Sequence, residues 1–309
     1  MELIGVDIGG TKCAVVRGND KGEVLKKEKF ATMDCQGTIA KIIEAVAGMG
    51  KCDAIGISCG GPLDSQNGMI LSPPNLPGWD HVEIVKLLHE RFGVPVFLKN
   101  DADACCLAEW KFGAGRGANH MIFLTFGTGL GAGLILNGKL YSGACDKAGE
   151  VGHIRLADFG PVGYGKSGSF EVFCSGGGLA QMGATVAKEK QQMGQKAGFA
   201  ENEITAKTIA ETAKNGDEDA LSVYRQCGRM LGKGLSVLID ILNPELIVLG
   251  SIFQRSEDLL RAEMEKVIAE ETLARSRKAC RIAAAELGDS LGDVAALCVA
   301  VCGMKGELA

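Results

Sequence analysis

Between positions 7 and 12, Asp7, Gly9, Gly10, Thr11 and Lys12 gather a carboxylate, two glycines, a hydroxyl and an ammonium. Paired glycines let backbone N–H groups approach an anion with no Cβ in the way. A carboxylate at such a turn repels a bare phosphate but suits one that arrives with Mg²⁺. Nucleotide phosphates are therefore one ligand for this run, although a tight hairpin could use the same glycines merely to turn. A second run, Thr125-Phe126-Gly127-Thr128-Gly129-Leu130-Gly131, has a similar make-up. Its GxGxxG-like spacing raises the option of a dinucleotide fold. No helix pattern follows those glycines, and Asn137-Gly138 signals a hairpin instead, so a phosphate-binding hairpin is the better reading.

Other residues carry polar chemistry in positions suited to a ligand. Asp101, in Asn100-Asp101-Ala102-Asp103, lies where a strand pattern gives way to a helix pattern. Open α/β sheets bind ligands at that edge, and Asp is also a common helix N-cap there. Asn75 sits in Ser72-Pro73-Pro74-Asn75-Leu76-Pro77-Gly78-Trp79, whose prolines make a stiff loop. Its amide and indole suit a sugar; a plain surface loop ahead of a helix is the alternative. Glu150 and His153 flank a Gly-containing turn, a pair suited to hydroxyl recognition or a metal, or to a purely structural imidazole. Glu171 follows an aromatic, Gly-rich stretch from Phe159 to Ser169, and Gly61 stands in the rigid turn Cys59-Gly60-Gly61-Pro62. Gly250-Ser251 ends a strand pattern and offers a flat place for adenine or ribose.

The elements that must position these groups alternate. Leu3–Val16 reads as a strand, Gly turn and strand, and Glu23–Thr32 as an exposed strand. Ile39, Ile42, Ile43 and Val46 mark a helix that Gly48 and Gly50 end. Ala54–Ser58 and Val94–Leu98 read as buried strands, with a helix through Phe92 between them that Asp80 and Glu83 should cap. A helix runs on to Trp110, and Gly113–Gly117 is the expected crossing between domains. Strands follow at Met121–Thr125, Leu134–Leu136 and Lys139–Ser142. Ser175 to Gly178 opens a helix, and residues 188–203 read as an exposed connection. Thr205 caps a helix to Lys214, and a long helix spans Asp217–Leu242, ended by Asn243-Pro244. Strand 245–249, helix 256–271, strand 281–286 and a helix from Ser290 to about Cys302 complete the chain. Such alternation predicts a layered α/β fold, and the two Gly/Thr hairpins suggest related halves.

Bulk composition removes several classes. The 309 residues suffice for two domains with a sizeable core. A net charge of −5 without any basic block makes nucleic acid an unexpected partner. No apolar stretch has the length of a membrane span, and no basic-then-apolar leader opens the chain. The twelve cysteines form no CxxC and sit in apolar segments, which points to reduced core thiols and a cytoplasmic location.

Taken in order, these motifs resemble the ROK family of bacterial sugar kinases, within the actin–hexokinase–Hsp70 superfamily. The resemblance rests on Asp7-Ile8-Gly9-Gly10-Thr11-Lys12, Pro74-Asn75-Leu76 with Gly78-Trp79, and Asn100-Asp101-Ala102-Asp103. It continues through Thr125–Gly131, Glu150-Val151-Gly152-His153, Glu171 ahead of Ser175-Gly176, and Pro244–Gly250. It implies a two-domain actin-like (ribonuclease H-like) α/β fold with an active-site cleft between the domains. Residues 1–116, closed by the C-terminal helix at about 290–309, would form the small domain, and 117–289 the large one.

The resemblance further implies an ATP-dependent hexose kinase acting on the C6 hydroxyl, most simply of glucose, and a homodimer. Asp101 would be the general base. Gly61, Asn75, Asn100, Asp101, Glu150, His153 and Glu171 would bind the sugar. Asp7, Gly9, Gly10, Thr11, Lys12, Gly127, Thr128, Gly129, Gly250 and Ser251 would serve the nucleotide, Asp7 acting indirectly through Mg²⁺. The family's zinc motif, CxCGxxGCxE, has lost its thiols here: Val162, Tyr164 and Ser169 stand at the cysteine positions, so no zinc is expected. Packing of Phe159, Tyr164 and Phe170 is the expected substitute. Ser251 stands where a second glycine is common and is expected to be tolerated. Other hexoses and N-acetylhexosamines remain alternative substrates. A sugar-sensing regulator is another class; the presence of Asp101, and a first strand starting almost at Met1 with no room for a helix-turn-helix, favour the enzyme. A polymerising or chaperone ATPase would leave Glu150, His153 and Glu171 unexplained.

Overall fold

In a computed structural model, which describes residues 1–199 and 203–308, the opening run forms antiparallel strands β1 (Glu2–Ile8) and β2 (Lys12–Asn19). β3 (Val24–Ala31) extends this sheet with a largely exposed face, followed by α1 (Cys35–Met49). Next come β4 (Ala54–Cys59), the short pair β5 (Leu63–Asp64) and β6 (Met69–Ile70), and α2 (Ile84–Phe92). β7 (Val96–Asn100) leads directly into α3 (Asp101–Phe112). β8 (Met121–Leu124), β9 (Ala132–Leu136) and β10 (Lys139–Leu140) follow, then the hairpin β11 (Val162–Gly163) and β12 (Lys166–Ser167). The remaining elements are α4 (Phe170–Phe173), α5 (Gly176–Gln192), α6 (Ala206–Lys214), α7 (Glu218–Leu242), β13 (Leu246–Leu249), α8 (Ile252–Glu271), α9 (Ala274–Ala279), β14 (Arg281–Ala284) and α10 (Leu291–Met304).

The first sheet has the order β3-β2-β1-β4-β7, with β1, β4 and β7 parallel. Ile4, Val6 and Ile8 join Ile42, Ile55, Ile57 and Leu88 in a core on one face. Leu3, Val16 and Ala54 pack on the other face against Leu297, Ala300 and Val301 of α10. Burial on both faces explains why these strands read as continuous apolar runs. Gly5 and Gly56 are paired across β1 and β4. A Cβ on Gly5 would lie 2.8 Å from the Leu297 nitrogen, and one on Gly56 2.3 Å from the Ala296 oxygen. The two glycines thus let the backbone of α10 rest directly on the sheet.

The second sheet has the order β10-β9-β8-β13-β14, with β13 and β14 parallel. The mixed α/β architecture is the fold class that the sequence predicts; that each of the two large sheets has five strands is seen only in the structure. By compactness the chain divides into one unit of Met1–Phe123, Gly133–Gly149 and Glu286–Ala309, and another of Leu124–Ala132 and Glu150–Ala285. In the second unit, α7 and α8 approach closely at Gly228 and Gly232, whose Cβ atoms would meet the Leu260 and Met264 carbonyls at 2.8 and 2.7 Å.

Several local expectations need correction. Asp80 does not cap α2: its carboxylate takes the Ser72 hydroxyl, and the N-cap position belongs to Glu83, which makes no side-chain cap bond. Residues 188–192 belong to α5, so the connection is shorter than expected, and residues 200–202 within it lie outside the described residues. α8 begins at Ile252, four residues early, and carries a non-helical Ser256. Cys145 is exposed rather than in the core. By contrast, Ser175, Thr205 and Asp217 cap α5, α6 and α7 with their side chains, and Asn243 closes α7 in the left-handed region. Among the described residues no helix is long and apolar enough to cross a membrane.

Candidate active site

The parallel register aligns the carboxyl ends of three strands, because Asp7 pairs with Ser58 and Cys59 with Asn100. Ligands in open α/β sheets bind beyond such ends. Asp7, the Gly60-Gly61 turn, Asn100 and Asp101 therefore collect at one edge of the first unit. Asn100, not Asp101, is the N-cap of α3: its Oδ1 accepts from the Ala102 nitrogen at 2.9 Å. Asp101 Oδ1 also accepts from Ala102 N at 2.9 Å, and its side chain is exposed. A Cβ on Gly61 would stand 3.2 Å from Asn100 Nδ2 and 3.6 Å from Lys147 Nζ. Gly61 and Asn100 are thus neighbours, and Lys147, which the sequence did not single out, joins them.

Asp7 is partly buried, and its carboxyl is pushed up to about 7. Burial is the largest cause, followed by the negative charges of Asp101 and Asp293, against a smaller opposing effect of Lys27 and Lys12. Asp293 is itself paired with Lys27. Neither residue was among the sequence candidates, since Asp293 lies far along the chain from Asp7 and Lys27 reads as part of an exposed charged strand. The hairpin tip beyond Asp7 is held from behind. Thr32 donates its hydroxyl to the Gly9 carbonyl at 2.5 Å, and its nitrogen donates to the Thr11 carbonyl at 3.0 Å. Thr11 and Lys12 are exposed at the tip, and Gly10 abuts Asn75, where a Cβ would lie 2.5 Å from the Asn75 oxygen.

Asn75 is exposed as expected, but Trp79 is not its companion at a ligand. Trp79 is fully buried in the core with Leu76, and its indole nitrogen has no hydrogen-bond partner. The loop is folded back on itself by Ser72 N to Trp79 O at 2.9 Å and Leu76 N to Pro73 O at 2.9 Å, which turns the indole inward.

The remaining candidates lie in the second unit. Thr125 closes the Gly-rich turn by accepting from Gly131 N at 3.0 Å through its Oγ1. Glu171 reaches into this turn: its Oε2 accepts from Leu130 N at 2.9 Å, and a Cβ on Gly129 would lie 2.8 Å from that oxygen. Gly152 is equally tight, since its Cβ would stand 2.3 Å from the Leu130 carbonyl and 3.1 Å from Glu171 Cβ. These contacts bring the turn carrying Glu150 and His153 together with Glu171 and Gly129. Glu150 and His153 are exposed at the two ends of a 3-10 turn, Val151–His153.

Gly127 accepts from Gly176 N at 2.8 Å at the start of α5, and its Cβ would lie 3.6 Å from Ser251 Oγ. Gly250 N donates to Leu124 O at 3.0 Å and Ile252 N to Phe126 O at 2.9 Å, which docks Ser251 beside the turn. Phe126 and Ser251 have φ of 23° and 47°, sparsely populated backbone for non-glycine residues. Thr128 is exposed at the tip. Gly127, Thr128, Gly250 and Ser251 thus form one neighbourhood.

The hairpin before Glu171 does not pack as expected. Phe170 is fully buried, close under Gly234, but Phe159 is 87% and Tyr164 72% exposed. Val162 pairs through its backbone with Ser167, and Ser169 is buried ahead of α4. Without a thiolate at any of these positions, the hairpin does not fit a zinc ion. Among the described residues no three His, Cys, Asp or Glu side chains are grouped so as to hold a metal.

Comparison with known proteins bears on the family and the fold. The ROK family model matches residues 3–301. A glucokinase of Thermotoga maritima is 32% identical over 277 residues, 87% of each chain. The crystal structure of a ROK family glucokinase from Streptomyces griseus, in complex with glucose and AMPPNP, is 32% identical with a TM-score of 0.80 and covers 97% of this chain and 99% of that one. A xylose repressor of Caldicellulosiruptor bescii is 28% identical over 86% of this chain and 69% of its own length. A family match over nearly the whole chain and glucokinase relatives above 30% identity establish that this protein belongs to the ROK family.

Proposed function

We propose that the protein is an ATP-dependent hexose kinase that phosphorylates glucose at the C6 hydroxyl. The observation that carries this reading is the exposed carboxylate of Asp101 at the β7–α3 junction, with Asn100 and Gly61 beside it and the charge of Asp7 close enough to feel it. In this reading the C6 oxygen forms a bond to the γ-phosphorus of ATP while its proton passes to an Asp101 oxygen. The bond from that phosphorus to the β,γ-bridging oxygen breaks, and ADP leaves. Glu150, His153, Glu171, Asn75 and Asn100 orient the sugar through its hydroxyls. Sites built to hydrogen-bond a hydroxyl discriminate strongly against analogues that lack it. Gly10, Thr11, Lys12, Gly127 and Thr128 receive phosphates, and Gly250 and Ser251 the nucleoside.

A divalent cation fits the chemistry of Asp7. Its carboxyl is raised by burial and by two neighbouring carboxylates, and a nearby positive charge would relieve that repulsion. Mg²⁺ arriving with ATP would supply charge neutralisation on the phosphates. The glucokinase names of the relatives support glucose, and the repressor among them supports sugar sensing as the second reading. The cysteine pattern, with no CxxC, supports a cytoplasmic location, and the family resemblance supports a homodimer. Coupled ADP release measured over glucose, mannose, fructose, allose, N-acetylglucosamine and N-acetylmannosamine tests the proposal. Highest kcat/KM on glucose is expected; sugar binding with no sugar-dependent ADP release would favour the regulator.

A further inference from the structure

The hairpin β11–β12 turns on two residues, Tyr164 and Gly165, with φ of 48° and 68°. Left-handed backbone at both central positions is the type I′ geometry, which favours Asn, Asp or Gly at the first of them. Another two-residue hairpin, β9–β10, follows that preference with Asn137-Gly138 at 54° and 68°. A tyrosine in the same place is strained, and strain of this kind collects at functional sites. Burial does not explain it, because Tyr164 is 72% exposed. What the ring does touch is His153: the centroids are 5.5 Å apart, with the planes tilted by 49°.

The hairpin that carries Tyr164 is firmly tied down. The side-chain amide of Gln181, on α5, pairs with the Val162 backbone in both directions: Oε1 accepts from Val162 N at 2.9 Å, and Nε2 donates to Val162 O at 2.9 Å. Arg155 Nη1 donates to the Ser167 carbonyl at 2.8 Å, and Lys166 donates to the His153 carbonyl itself. These bonds link the hairpin to α5 and to the segment that bears His153. A ring on a hairpin fixed at several points can hold an exposed imidazole in one orientation.

We propose that Tyr164 is a positioning residue that orients the His153 imidazole toward a hexose hydroxyl, and that the Gln181 amide holds the hairpin for this purpose. This rests on the hexose-kinase reading. The test compares Y164N, Y164F and Q181A in the full chain, with steady-state kinetics, thermal melting, and NMR of the His153 ring protons assigned with H153N. Y164N places a turn-favoured residue in the strained position, so its Tm should equal or exceed that of the wild type. Its KM for the hexose should nevertheless rise about tenfold, with kcat and the KM for ATP within about twofold. Y164F should restore the wild-type KM, and Q181A should raise it in the same direction as Y164N. The ring-current displacement of the His153 protons should vanish in Y164N and persist in Y164F. An unchanged KM in Y164N, or a Tm that falls with kcat and both KM values moving together, would overturn the positioning role. An unchanged Q181A would overturn the role of the clamp. If the wild-type chain phosphorylates no hexose, the kinase reading fails, and the orientation of His153 is then decided by the ring-current shifts alone.

Discussion

Gly10 and Asn75 sit so close that any side chain on Gly10 would collide with the Asn75 backbone, since a Cβ there would lie 2.5 Å from the Asn75 carbonyl oxygen. The first hairpin tip and the Pro-rich loop therefore pack directly against each other at this point. Gly10→Ala should displace both, raising KM for ATP and for the sugar by about tenfold or more, since small misplacements at a reacting centre are costly. Two-substrate kinetics check this. A change confined to ATP would show that Asn75 does not take part in the sugar site.

Asp7 predicts a pH dependence with a definite sign. Its carboxyl is raised to about 7 in the folded chain, above the ordinary 3.8, so the folded state holds a proton there that the unfolded state has already lost. The contribution is fully present below about pH 4 and is lost as pH rises through 7. Asp7→Asn should flatten that part of the ligand-free stability profile. At pH 8 it should stabilise the chain by about 1–2 kcal/mol, a value discounted for partial solvent access. Urea unfolding at pH 5.5 and 8 measures it. The same variant should lose activity through weaker use of Mg·ATP, and a raised requirement for Mg²⁺ in the assay would show it.

Gly56→Ala should damage the first unit without touching the site. Its Cβ would press to within 2.4 Å of the Ala300 nitrogen of α10, with no flexible neighbour to yield. Overpacking of this kind costs about 1–3 kcal/mol, and backbone displacement adds to it. Denaturant unfolding should show a reduced midpoint.

What was legible in the chain was local. Asp7 and Asp101 could be read because each follows an apolar strand run and precedes a turn or helix, a pattern confined to a dozen residues. Asp293 and Lys27 could not, since their pairing joins positions 266 residues apart. Trp79 misled for a physical reason: beside prolines and glycine an aromatic looks ligand-facing, but the turn bonds of the loop point it into the core. The Asp80–Glu83 capping pattern failed because Ser72 captured the Asp80 carboxylate first, across a loop the spacing rule does not see. Gly5 and Gly56 lie inside apolar strand runs, and nothing near them in the chain reveals that α10, more than 230 residues further on, packs directly onto them.

The substituted zinc positions make a further prediction. With Val162, Tyr164 and Ser169 where thiolates would be needed, protein purified without chelator should contain far less than one zinc per chain and keep its activity after EDTA treatment once Mg²⁺ is restored. Elemental analysis decides it, and about one zinc per chain would contradict the expectation.

The most direct test of the kinase reading is Asp101→Asn, which keeps the size of the side chain and removes its ability to take a proton. Turnover of glucose should fall by about 10²–10⁴-fold, the usual contribution of a positioned base, while calorimetric binding of glucose and of ATP stays within about threefold of the wild type. A variant that retains near-normal kcat would contradict the assignment of Asp101 as the base.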